Sequence, residues 1–458
     1  MRLYGIFIAG LLAAVSVHAQ VVTDDLQDRA VEWTQAYLRV NTVNPPGNEI
    51  AGARFLARIF DAEGIPYEMV ESAPGRGNIW ARLKGGDEPG LVLLHHIDVV
   101  PADPNYWVTD PLSGEIRDGF IYGRGALDTK SLGITHLAAF LGLHRSGVRL
   151  NRDVIFMATA DEEAGGFFGA GWLVENRQDS FEGVGYVINE GGGGTDIDGQ
   201  VQVAVEVTQK IPYWLRVTAR GEPGHGSRPQ AESSVTRLVA GLDRLRNHEF
   251  GFRVIPAVDR YFRGVALSVT PRWQERYADM GAALLEPEVA DELLRDNPSH
   301  YALTRNTCSV TRLGGSDKIN VVPTEAWAEL DCRLLPDQNP DEFLAELGAV
   351  LGADIGVDTL MGFTPAQSSA ETGLFRAIED VTRTHYPGVT VVVPSVMTGF
   401  TDSHFFRDLD ITAYGYGPFV VPAADRGGVH GNNERISVEN VRRGVVVMFD
   451  VLQRWAVD

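Results

Sequence analysis

Cysteine is nearly absent, with Cys308 and Cys332 the only two in 458 residues. Two isolated thiols make no sulfur-ligated metal site. Both lie in strand-like runs, "TCSVTRL" and "AWAELDCRLL", that could pair antiparallel. A disulfide and two buried free thiols fit those runs equally well. Positive charge is also scarce: 40 Lys+Arg stand against 61 Asp+Glu, a formal net charge of −21. That balance argues against nucleic acid or an anionic membrane as partner. Long apolar runs are missing beyond the N-terminus. There "LYGIFIAGLLAAVSV" follows Arg2, and at about 15 residues it falls short of the ~20 that span a bilayer. Small residues at Val17 and Ala19 precede Gln20. The layout is that of a secretory signal peptide over residues 1–19, with no stable membrane anchor and a secreted or periplasmic mature chain. No internal repeat or low-complexity tract occurs beyond "GGGG" at 191–194.

What is present reads as globular: 44% hydrophobic and 22% charged residues, over a length that suits two or three domains. "DRAVEWTQAYLRV", "EIAGARFLARIFDAEG" and "KSLGITHLAAFLGLHRSG" have helical periodicity. "NIWARLKG", "GLVLLHHIDVV", "DVIFMATA" and "VGYVINE" read as strands. Most are apolar throughout, as in a sheet covered on both faces. This is an α/β layered domain. Near Val207 the pattern changes to apolar–polar alternation ("IPYWLRVTAR"). Then come a helix, a helical insertion at about 249–303, two strands, a helix and a strand. That β-α-β-β-α-β order is a small α+β domain. From about Ala366 the α/β pattern resumes. The expected organisation is a catalytic domain of 20–207 and 366–458, interrupted by an inserted domain of 208–365.

The ends of the strands carry the chemistry. "LVLLHHIDV" delivers His96 and Asp98, "VIFMATADEE" Glu162 and Glu163, and "YVINE" Glu190; Asp128 in "GRGALDTKS" precedes a helix. In open α/β sheets, ligands bind beyond the carboxyl ends of the strands. Clustered carboxylates cannot all stay ionised without cations. Two divalent ions bring about +4, which Asp128, Glu163, Glu190 and a bridging hydroxide would return to near neutrality. Mixed histidine and carboxylate ligands suit zinc. His96 and Asp98 share one face of the strand, while His95 points the other way and reads as a packed core histidine. His96 can therefore bind a metal with Asp98 orienting its other ring nitrogen. Of the adjacent glutamates, one would take the metal and the other the attacking water.

In their order and spacing, "HHIDVVP", "GRGALDTKS", "ATADEEAG", "NEGG", "GHGS", "INVVP…DCR" and "VHGNNERI" resemble the co-catalytic zinc family of glutamate carboxypeptidase, aminoacylase, acetylornithine deacetylase and succinyl-diaminopimelate desuccinylase. The resemblance covers about residues 30–455. It implies a zinc-peptidase α/β/α sandwich with an inserted lid that also pairs subunits into a homodimer. It implies two Zn2+ per chain, with Co2+ or Mn2+ as possible substitutes. His96 and Glu190 would hold one ion, Glu163 and His430 the other, and Asp128 would bridge them. It further implies Asp98 as the orienter of His96, Glu162 as general base and a cis peptide after Asp128. His225 would stabilise the oxyanion, and Asn320 and Arg333 would grip the substrate carboxylate.

The implied reaction is hydrolysis of an amide bond beside a free carboxylate, in a small peptide or an N-acyl amino acid. Plainer readings exist for several residues. His430 could sit in a surface loop, and His404 in "GFTDSHFF" competes for its role. His225 could be a solvated loop histidine, Arg333 a solvent-face residue and Glu434 a cap of the closing helix. At the level of function, an aminopeptidase with the same zinc core is one alternative. The other is a non-catalytic binding protein, either a metal-free one on a decayed enzyme fold or a periplasmic solute-binding protein.

Overall fold

A computed structural model describes residues 24–197 and 199–457. The expected signal peptide lies outside them. The chain divides into two compact units. One comprises the chain to Val207, Ser368–Ser395 and Thr401–Asp458; the other is Thr208–Gln367 with Val396–Phe400.

The first unit is built on an eight-stranded mixed sheet. Its strands run in the order Tyr67–Ala73, Arg76–Leu83, Arg152–Thr159, Glu88–His96, Val184–Ile197, Thr412–Pro422, Gln200–Gln209, Val389–Met397. The central strand 88–96 is parallel to both neighbours, 152–159 and 184–197. Its last seven residues are all buried, as expected of a strand with helices on both faces. A helix that is hydrophobic all round must be enclosed, and Lys130–Ser146 is buried from Lys130 to Leu143. It packs against the closing helix Val438–Ala456 and ends where Gly147 takes a left-handed turn (φ 61°).

The strand containing Glu190 does not stop there but continues through the four glycines to Ile197. Three strands converge at that point. A Cβ on Gly192 would lie 2.2 Å from the Gly415 carbonyl oxygen and 2.5 Å from that of Ala204. The glycines are thus strand residues at a close backbone approach, not a terminating turn.

The second unit has a four-stranded antiparallel sheet ordered Thr307–Gly314, Glu325–Leu334, Ile211–Arg220, Ile355–Gly362. Alternate residues of 325–334 are buried, from Ala326 to Leu334. They form one core with residues of the helices Ser234–Arg246 and Pro340–Leu351. Cys308 and Cys332 face each other across the first two strands and form a disulfide. The insertion folds as short helices, four of which open on proline: Pro256, Pro271, Pro287 and Pro298. Proline is preorganised for the first helical position and lacks only a donor that would be orphaned there anyway. Among the described residues, no helix is long and apolar enough to cross a membrane.

Candidate metal centre

His96 is the last residue of its strand and is buried. Its Nε2 lies 3.0 Å from Asp128 Oδ1 and 3.5 Å from Glu190 Oε1. Its Nδ1 is 3.0 Å from the backbone oxygen of Asp98 and 3.5 Å from the Asp98 carboxylate. The ring is thus oriented mainly by the backbone of Asp98. The carboxylate of Asp98 also serves a second element. It accepts from the Glu162 and Glu163 N–H groups, both at 3.1 Å, and from the Asn44 amide at 2.8 Å. Those two N–H groups open the tight turn Glu162–Ala164, which begins after Asp161 in a left-handed conformation (φ 68°). Asp98 thereby fixes how the adjacent glutamates diverge.

Asp128 presents one oxygen to each histidine. His430 Nε2 lies 3.1 Å from Asp128 Oδ2 and 3.1 Å from Glu163 Oε2. Two groups of three ligands result, His96–Asp128–Glu190 and Asp128–Glu163–His430, with Asp128 common to both. The Asp128–Thr129 peptide is cis. His404, the competing histidine, is buried with Nδ1 2.9 Å from the Thr401 carbonyl oxygen and belongs to neither group. Asp402 does not cap the helix that follows it; its carboxylate accepts from the Thr159 hydroxyl at 2.8 Å. His95 is fully buried, its Nε2 3.3 Å from the Tyr37 hydroxyl.

The electrostatics call for cations. Burial, reinforced by the charge of Glu190, pushes Glu162 well above the usual carboxylate range. Burial also raises Glu190 and Glu163. Burial opposes a charge on His96, yet Glu190, Asp128 and Asp98 hold its pKa well above normal. Hydrogen bonds to Asp128 and then Glu163 lift His430 to about 10. Without metal, protons must occupy a set of groups that would otherwise coordinate. Glu163 Oε1 is buried with no hydrogen-bond partner among the described residues. Imidazoles facing carboxylates around a shared aspartate fit a pair of divalent cations of the zinc type.

The loop bearing Asp128 is held by a residue that the sequence suggested only as a helix cap. Glu434 is fully buried. It accepts from the backbone N–H groups of Gly125 (3.1 Å), Leu127 (2.7 Å) and Asp128 (3.0 Å), and from Arg124 Nη1 at 2.7 Å. It does not cap the closing helix; Ser437 does, accepting from the Asn440 N–H.

Within the second unit, His225 and Asn320 come together. Residues 224–225 pair with 321–322, and the Gly226 N–H donates to the Asn320 carbonyl at 2.9 Å. His225 is exposed. Its Nδ1 accepts from the Ser227 N–H at 3.2 Å, so the neutral ring carries its hydrogen on Nε2, free to donate. Arg333 makes a two-point ion pair with Asp331 on its own strand, at 2.7 and 3.2 Å.

The model of peptidase family M20/M25/M40 matches residues 92–454. The N-fatty-acyl-amino acid synthase/hydrolase PM20D1 of Xenopus tropicalis is 32% identical over 413 residues, 86% of this chain and 78% of that protein. Human aminoacylase-1 is 26% identical, over 91% of this chain and 92% of its own. In fold, the chain resembles the M20 family metallo-carboxypeptidase Sso-CP2 from Sulfolobus solfataricus. The TM-score is 0.70 at 20% identity, covering 93% of this chain and 99% of that one.

Proposed function

Because the chain belongs to peptidase family M20/M25/M40 and is a metallo-hydrolase, we propose that it hydrolyses the amide bond of N-acyl amino acids or small peptides, beside a free carboxylate. The observation that carries this reading is the pair of three-ligand groups sharing Asp128, with the buried carboxyl of Glu162 beside them. His96, Glu190, Asp128, Glu163 and His430 would hold two zinc ions. When bound, such ions supply the positive charge that lets a water molecule lose a proton near neutral pH.

Glu162 takes that proton as the water attacks the carbonyl carbon, and then returns it to the leaving amine. His225 donates from Nε2 to the oxygen on which charge develops. Asn320 and Arg333 receive the substrate carboxylate, Arg333 by turning its planar fork from Asp331 to the ligand. The second unit then serves as lid and as the pairing surface of a homodimer, and the leader at 1–19 directs the chain to the periplasm or the exterior.

The adjacent glutamates supply the test. Glu162→Gln is expected to keep both metals, measured by elemental analysis, while turnover of N-acyl amino acids falls by several powers of ten. Glu163→Gln is expected to lose metal. Activity indifferent to chelators, or the two variants exchanging behaviours, would refute the assignment.

A further inference from the structure

A cavity of about 520 Å³ opens between the helix 234–246, the insertion and the edge strand 307–314. That is within the range of small-molecule sites. Its walls are mixed, with an apolar side formed by Leu242, Leu245, Phe250, Leu294, Pro298 and Val310. Arg246, His248 and Arg305 also line it, and not one of the lining residues is an aspartate or glutamate. In a chain with 61 acids against 40 bases, an acid-free basic lining is unexpected.

Arg246 and His248 have their own acids, Asp243 at 3.0 Å and Glu346 at 2.8 Å. Arg305 has none. It is only 4% exposed, its guanidinium lies over the Tyr301 ring at 4.3 Å, and its Nε is buried without a hydrogen-bond partner among the described residues. A buried cation without a counter-ion is costly, and a ring face offsets only a small part of that cost. The nearby ammonium of Lys210 is spoken for: it donates to the carbonyls of Ala302 and Arg305 and to the Thr307 hydroxyl. A buried arginine with no acid partner and an unsatisfied Nε therefore lines this cavity.

We infer that this cavity binds a carboxylate with a long apolar tail, its head on Arg305 and its chain along the leucine-lined wall. A carboxylate matches the planar fork and brings a single charge. A phosphate monoester would need a second cation, and the other two that line the cavity, Arg246 and His248, are each paired with an acid. The site shares no residue with the metal centre.

Calorimetric titration of the full chain with sodium dodecanoate, below its micelle concentration, tests the inference. Saturable binding is expected, and it should persist after metal is removed by chelation. Dodecyltrimethylammonium should not bind, and dodecyl phosphate should bind no more tightly than dodecanoate. Arg305→Gln should weaken dodecanoate at least tenfold, and Leu294→Trp, which fills the chamber from a partly exposed position, should do the same. Circular dichroism and melting should show both variants folded. No saturable binding, equal binding of the cationic amphiphile, loss of binding on chelation, or less than a tenfold effect in a folded Arg305→Gln would each overturn it. None of these readouts depends on catalysis, so they stand apart from the fate of the proposed reaction.

Discussion

At the scale of single residues, Glu434 shows how a candidate ligand can be governed by a side chain outside the ligand set. Its two oxygens serve three backbone N–H groups around Asp128 and one guanidinium. A glutamine there keeps the shape but loses one acceptor and leaves Arg124 buried beside an amide. Glu434→Gln is expected to cost about 3 kcal/mol of stability, as when one partner of a buried pair is removed. Metal affinity should fall roughly 10- to 100-fold through the loosened Asp128 loop. Thermal melting and zinc titration read the two effects, and a variant that binds metal like the parent would contradict this role. The sequence offered Glu434 only as a cap of the closing helix, because backbone N–H groups leave no pattern in a string of side chains. His96 and Asp98 were legible for the opposite reason: a spacing of two puts them on one face of a strand. The same spacing could not reveal that the backbone of Asp98 orients the ring while its carboxylate holds the glutamate turn.

At the scale of elements, alternation was the readable signal. "EAWAELDCRL" buries every second residue against the helices, and the sequence pattern supplied that face directly. The glycine run reads in sequence as the end of a strand, and the structure carries the strand through it. Whether glycine breaks a strand or admits a close neighbour depends on what lies beside it, and here the Gly415 and Ala204 backbones do. The disulfide lay equally beyond the pattern until register set Cys308 opposite Cys332. It closes a loop with a sequence separation of 24, which in the chain-entropy model contributes about 3 kcal/mol. Replacing both cysteines by alanine should therefore lower the melting temperature while leaving bound metal unchanged, as calorimetry and elemental analysis would show. An unchanged melting temperature, with or without reductant, would mean the bond adds nothing.

At the scale of the whole molecule, the proposed metal ligands and Glu162 belong to one unit and His225, Asn320 and Arg333 to the other. If the proposed dimer lends His225 to its partner's site, two dead variants can rescue each other. His225→Ala and Glu162→Gln, mixed under conditions of verified subunit exchange, should regain activity in mixed dimers, where one site has both its glutamate and a borrowed histidine. A mixture that exchanges yet stays inactive would exclude that sharing. The chain passes between the units more often than an ordinary insertion requires, because Val396–Phe400 returns to the second unit. Phe400 meets Phe363 edge to face there, and the Met397 carbonyl accepts the Lys210 N–H. Considered on the ribosome, this nesting sets an order of completion. The inserted unit cannot close until residue 400 has emerged, long after its own 208–367 are made. The first unit waits longer still, because the helix packed against 130–146 ends at Ala456. At roughly 5–20 residues per second, its apolar early strands wait many seconds for the helix that ends at Ala456.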